Sequence, residues 1–190
     1  MRTLISTAFI SLDGVVEDPG GQTDYRNGGW TFKSVDFVAE AYAVKGSEQE
    51  ESTAMLMGRK SYELFSPVWP GMDDFAHYRD LPKYVVSTTL DDADLVPDWG
   101  PTTILRSLNE VRALKESEGG PIIIHGSVTL NHALADAGLI DRYNLLVFPL
   151  LLGAGQKLFS DTDKDTQKLK LVDSEVFSNG IQKNIFDVIH

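Results

Sequence analysis

Two rhythms of apolar residues alternate along this chain. Continuous runs rich in β-branched and aromatic residues predict buried strands at Leu4 to Ser11, Ser52 to Met57, Lys83 to Ser87, Thr102 to Leu105, Ile122 to His125 and Tyr143 to Phe148. Between them the spacing turns helical. One helix is expected from Ser34, an N-cap residue, through Val35, Val38, Ala39, Tyr42 and Ala43. Others are expected after Gly58, over Asp73 to Arg79, along Leu108, Val111 and Leu114 up to Gly119-Gly120-Pro121, and along Leu130, Leu134 and Ala137 up to Gly138. Two long alternating runs, Leu169 to Phe177 and Ile181 to Ile189, flank Ser178-Asn179-Gly180, a strong hairpin signal. Strands alternating with helices and then a hairpin predict an α/β fold, a three-layer α/β/α sandwich. Its sheet is expected to be mixed and mostly parallel, ending in an antiparallel C-terminal hairpin. With no linker or repeat visible, residues 1–190 are expected to form a single domain.

Three strand ends carry small or polar residues that suit a ligand. The central run ends at His125-Gly126-Ser127, and a helix opens at Val128-Thr129-Leu130; free N–H groups and the dipole at such a helix start favour an anion. Met57-Gly58-Arg59-Lys60-Ser61-Tyr62-Glu63 is a second strand-to-helix turn. There Gly58 permits close approach, and Arg59 and Lys60 supply a planar fork of donors and a point charge. Cations are unfavourable at a helix N-terminus, so an anion nearby would relieve the conflict. Ser87-Thr88-Thr89 ends a third strand, although hydroxyl residues there are also ordinary turn chemistry. Glu17 to Gly29 is a long loop rich in glycine and proline, the kind that often acts as a lid; Trp30 and Phe32 at its end could wall a flat ring or belong to the core.

Composition narrows the field. A charge of -11, from Lys+Arg 17 against Asp+Glu 28, argues against nucleic acid or an anionic membrane as the main partner. The absence of cysteine excludes disulfides and thiolate metal sites. Asp161, Asp163 and Asp165 invite a calcium-loop reading, which fails because the sixth loop position is Thr166 and the twelfth Val172. Gly153-Ala154-Gly155 lacks the rest of a dinucleotide fingerprint, and no phosphate-loop motif is present. Leu4 to Leu12 is too short for a membrane span and has no cleavage-like site, so a cytoplasmic location is expected.

Gly126-Ser127, Gly138-Leu139-Ile140-Asp141, Pro149 and Leu152-Gly153-Ala154-Gly155-Gln156-Lys157-Leu158-Phe159 together resemble the dihydrofolate-reductase-like family. Within it they resemble the reductase domain of the riboflavin-pathway enzyme, here expected to stand alone without its deaminase domain. Ser11-Leu12-Asp13-Gly14 and Gly58-Arg59-Lys60-Ser61-Tyr62-Glu63 extend the resemblance over nearly the whole chain. Many members have two glycines where this chain has Gly126-Ser127.

The resemblance implies an NADPH-dependent reductase of a small flat heterocycle, pterin- or pyrimidine-like, or of a carbonyl compound. It implies that the cofactor meets Ala8, Gly58, Arg59, Lys60, Ser61, Ser87, Thr88, Gly126, Ser127, Val128, Thr129 and Leu130. Arg59 and Lys60 would hold the 2′-phosphate, and the first strand would run beside the nicotinamide. It also implies a mobile loop at Glu17 to Gly29 and a homodimer. The candidate catalytic groups are Asp13 and Asp36, with ordered water as a third proton source. Asp13 can equally be a turn former, and Asp36 in a first helical turn can equally answer the dipole. His125 and His132 read as a structural residue and an exposed one. A module that binds NADP(H) without turnover, as a sensor or scaffold, is the alternative, and a relic of the fold that binds neither nucleotide is a third.

Overall fold

The computed structural model of the chain describes residues 1–162 and 165–190, so Asp163 of the rejected calcium loop lies outside the described residues. Among the described residues eight strands form one sheet: β1 (Leu4–Ser11), β2 (Ala54–Gly58), β3 (Lys83–Val86), β4 (Thr102–Leu105), β5 (Ile122–His125), β6 (Arg142–Phe148), β7 (Lys168–Val176) and β8 (Gln182–Ile189). Their order is β4-β3-β2-β5-β1-β6-β8-β7. The six strands from β4 to β6 run parallel, and β8 and β7 close the sheet antiparallel, as the pattern predicts. The hairpin turns at Ser178-Asn179-Gly180, where Gly180 takes φ 84.

The apolar runs bury both faces, which is why they read as continuous rather than alternating. On one face Leu4, Leu56, Ile122 and Ile124 pack under α5 (Leu108–Glu116) and α6 (Val128–Asp136) through Val111, Leu130 and Leu134. On the other face Met55, Met57, Val85 and Ile123 pack against Tyr62 of α3 (Arg59–Phe65), Tyr78 of α4 (Ala76–Asp80), Trp69 and Trp99. Farther along that face Leu146 and Phe148 meet Trp30 of α1 (Trp30–Lys33) and Ala41 of α2 (Ala39–Glu51). Trp30 stands edge-on to Phe148 at 5.1 Å. It belongs to the core, whereas Phe32 is exposed and stacks on Tyr42 at 5.6 Å.

One element departs from the pattern. Ser34 does not start a helix; it caps the end of α1, and α2 begins only at Ala39 after an extended Val38. Val35 and Val38 pack as separate apolar contacts on the third cluster, and the Asp36 carbonyl accepts a hydrogen bond from Asn179 Nδ2 at 2.8 Å, which fixes the segment between the helices. Among the described residues no helix is long and apolar enough to cross a membrane.

Candidate nucleotide and substrate site

The three ligand-suited strand ends lie side by side. β2 runs between β5 and β3, so the turns after Gly58, His125 and Val86 share one edge. Two of them are laced together. Gly58 N donates to Ser127 Oγ at 3.0 Å, and Ser127 N donates to Ser61 Oγ at 2.9 Å. From β1, Ser6 Oγ donates to Asn131 Oδ1 at 2.7 Å, and Asn131 Nδ2 donates to the Gly126 carbonyl at 2.6 Å. Ser6 and Asn131 are buried. Their pairing fixes the Gly126 turn to the first strand, a role the sequence did not reveal.

Gly126 and Ser127 both adopt left-handed backbone, with φ 57 and φ 60. For serine this conformation costs on the order of 1 kcal/mol, and such strain persists where neighbours impose it. Ser127 Oγ accepts from Gly58 N and donates to the His125 carbonyl at 3.1 Å, which offsets the cost. Ser127 gives α6 no side-chain cap, so its hydroxyl does not meet the first-turn N–H groups at Val128, Thr129 and Leu130. A Cβ placed on Gly58 would stand 3.8 Å from Leu130 Cβ, so the two turns are in van der Waals reach.

Arg59 is already engaged. Its Nε donates to Glu63 Oε1 at 2.6 Å, and its Nη1 donates to the Thr89 hydroxyl and carbonyl at 2.9 and 3.0 Å. The anion that relieves a cation at this helix start is therefore Glu63, one turn along. The head group remains 40% exposed at the strand-end edge, and Lys60 beside it is exposed. Ser87 is buried, with Oγ accepting from Thr89 N and Leu90 N, so only Thr88 of that pair faces outward.

Asp13 sits at the end of β1 and works as an acceptor. Its carboxylate takes hydrogen bonds from Ser11 Oγ at 2.6 Å, Gly153 N at 2.7 Å and Leu152 N at 3.2 Å. The Ser11 bond first, then the two backbone donors, hold its carboxyl down to about 2, ionised and without a proton to give at neutral pH. Asp36 is exposed and lies three residues before α2, so the helix dipole does not explain it. His132 is half-buried rather than exposed, and its Nε2 lies 2.9 Å from the Lys157 carbonyl.

The Glu17 to Gly29 loop is fastened to the Leu152 to Gln156 loop. Gln156 N donates to Glu17 Oε2 at 2.9 Å, Tyr25 donates to the Ala154 carbonyl, and Trp30 Nε1 donates to the Glu17 carbonyl at 2.8 Å. Gly155 makes this closeness possible: it holds φ +134, and a Cβ there would meet Val15 Cγ1 at 2.7 Å. Gly155→Ala is expected to cost roughly 1–2 kcal/mol in thermal unfolding and to expose residues 17–29 to protease. Unchanged melting and cleavage would show that the two loops do not depend on each other.

A mixed sheet of this order, mostly parallel and closed by two antiparallel strands, has the dihydrofolate-reductase-like fold. The chain belongs to the RibD C-terminal domain family, whose sequence profile matches residues 2–183. It is 27% identical over 192 residues to YyaP of Bacillus subtilis (strain 168), an uncharacterized protein, with 97% of this chain and 94% of that one covered. A Shewanella sp. PV-4 protein provisionally assigned to riboflavin biosynthesis superposes with a TM-score of 0.76 at 21% identity, covering 99% of both chains. Dihydrofolate reductase from Enterococcus faecalis, complexed with NADP(H) and RAB-propyl, superposes with a TM-score of 0.61 at 13% identity, covering 99% of this chain and 97% of that one.

Proposed function

We propose that this protein is an NADPH-dependent reductase of a small flat heterocyclic or carbonyl substrate. The observation that carries the reading is the pairing of Gly58 with Ser127, which sets two strand-end turns against one another beside the uncapped start of α6. The groups present fit a dinucleotide phosphate. Val128, Thr129 and Leu130 offer backbone donors, Gly126 and Gly58 allow close approach, and Thr88, Arg59 and Lys60 stand exposed along the same edge for a 2′-phosphate. Ser61 and Ser127 keep the turns in register, Ser87 anchors the third, and Ala8 places β1 alongside. A bound reduced nicotinamide supplies the hydride; the protein positions the partners and excludes water. Asp13 serves by tying the Leu152-Gly153 loop to the end of β1. The enzyme acts as a single domain and a homodimer in the cytoplasm, with the exposed β7 edge, where Leu169 and Leu171 face solvent, as the pairing surface.

Fluorescence titration with NADPH and NADH tests the cofactor, and NADPH consumption with pterin, aminopyrimidine and quinone acceptors tests turnover. Arg59→Ala is expected to weaken NADPH about tenfold and leave NADH unchanged, since a charged hydrogen bond to the 2′-phosphate is lost for one nucleotide only. Equal loss for both nucleotides would remove Arg59 from the 2′-phosphate. Tight binding with no turnover on any acceptor would favour the sensor or scaffold.

A further inference from the structure

The sheet face under α2 holds a charged cluster outside the nucleotide edge. Thr7 Oγ1 donates to Glu48 Oε2 at 2.5 Å, while Lys45 Nζ donates to the same hydroxyl and lies 3.1 Å from Glu48 Oε2. The side chains of Glu48 and Lys45 are only 7% and 13% exposed. A buried ion pair seldom stabilises a fold more than apolar residues of the same size would. Its placement points to chemistry instead. Thr7 pairs across the sheet with His125, the residue before the Gly126 turn, and Lys45 Nζ lies 5.4 Å from the ring centroid of Phe9, the next residue on that face toward the site end of β1.

Glu48 also reaches water from behind. It lines a cleft of about 350 Å³ between α2 and β6, β8 and β7, together with Glu51, Arg142, Asn144 and Lys183. It lines a second void as well, of about 10 Å³, with Ser52, Ile123 and Asn144. That is the room of one water. Asn144 Oδ1 is buried there and accepts no hydrogen bond from the described residues, although the residue is 6% exposed. Glu48 and Asn144 line this void and the cleft alike, so the two spaces adjoin at Glu48. Lys45 lines neither space, and its ammonium meets Thr7, Glu48 and the Phe9 ring instead.

Resting on the reductase reading, we propose that Lys45 donates the proton that the reduction consumes, and that Glu48 refills it from the cleft behind α2. Reducing a C=O or C=N bond adds a hydride, here from a reduced nicotinamide, to carbon, and a proton to the heteroatom. The Lys45 N–H bond breaks as the new O–H or N–H bond forms, and the neutral amine recovers its proton from cleft water through Glu48. A route from behind lets the loops keep the site dry while the proton is supplied. Asp13 has no proton to give, and Asp36 stands outside. Burial lowers the Lys45 pKa from its ordinary value and Glu48 opposes the shift, and the lowering favours release. Thr7, Glu48, His125 and Tyr78 are the polar groups around it; His125 Nε2 lies 2.7 Å from the Tyr78 hydroxyl.

The test compares wild type with Lys45→Gln, Glu48→Gln and the double variant, using NADPH and the best acceptor of the screen. All four are expected to bind NADPH alike. Lys45→Gln should lose about 10²–10⁴-fold in kcat, with log kcat then falling as pH rises where wild type is flat. The double variant leaves no buried charge unpaired, so it should regain the melting temperature and not the turnover. In the nucleotide-free protein, NMR of ¹³Cε-labelled lysine should place the Lys45 titration below 10.5 and lower still in Glu48→Gln. A kcat within about threefold of wild type in Lys45→Gln, recovery of kcat in the double variant, or an ordinary Lys45 titration overturns the assignment. Wild type that fails to bind NADPH overturns the reductase reading itself, and the proton route with it.

Discussion

Lys83→Met is expected to destabilise the protein by about 3 kcal/mol, lowering the melting temperature by roughly 10 °C. Lys83 is fully buried at the start of β3, and its ammonium donates to the carbonyls of Tyr78, Arg79 and Leu81 at 2.5, 2.9 and 2.8 Å. It also lies 4.9 Å from the Trp99 ring. Burial pulls its pKa down to about 8, against the pull of Asp80, so the group is still a cation at neutral pH. Methionine fills most of the volume and leaves buried acceptors at the end of α4 without donors. Gly100 is moulded to the same ammonium: it holds φ +57, and a Cβ there would meet Lys83 Nζ at 2.8 Å. Differential scanning calorimetry of the variant measures the loss, and a melting temperature within a degree or two of wild type would mean that these carbonyls find water.

The second large effect is a loss of stability in mild acid. Burial first, and the nearby Lys45 charge second, hold His125 neutral and lower its pKa from 6.5 to about 3. Between those values the unfolded chain binds a proton at this residue and the folded chain does not, so stability falls as pH drops through that window. By pH 4 the loss should be about 3 kcal/mol, read from urea unfolding at stepped pH. His125→Gln should flatten the slope above pH 4, while the Asp13 contribution, whose window runs from 3.8 to about 2, appears only below it. A wild-type slope unchanged in the variant would assign the acid sensitivity elsewhere.

Local chemistry made much of this fold legible. β1 and β4 occupy the stretches the apolar runs predict, and Asn179-Gly180 turns the hairpin. The segment before α2 misled because Val35 and Val38 satisfy a helical spacing while serving separate tertiary contacts, and only the partner Asn179, far along the chain, shows why. The turns at Gly58 and Gly126 were visible as motifs. Their lacing through Ser61, Ser127, Ser6 and Asn131 was not, since a serine or asparagine in an apolar run carries no signal of what it will meet. Lys45 and Glu48 were hidden for a related reason: α2 has little apolar stripe, so nothing in its own sequence marks these charges out until β1 brings Thr7 beneath them.

The strand order carries a further consequence for how the chain is made. β1 leaves the ribosome well before its sheet neighbours, which are β5 and β6, with Leu4 against Ile122 and Ile5 against Arg142. At roughly 5–20 residues per second of synthesis, the first strand waits on the order of ten seconds for its partners. Through that interval Leu4, Ile5 and Ile10 are a nascent apolar segment with no sheet to join, the kind of exposure that holding chaperones exist to cover.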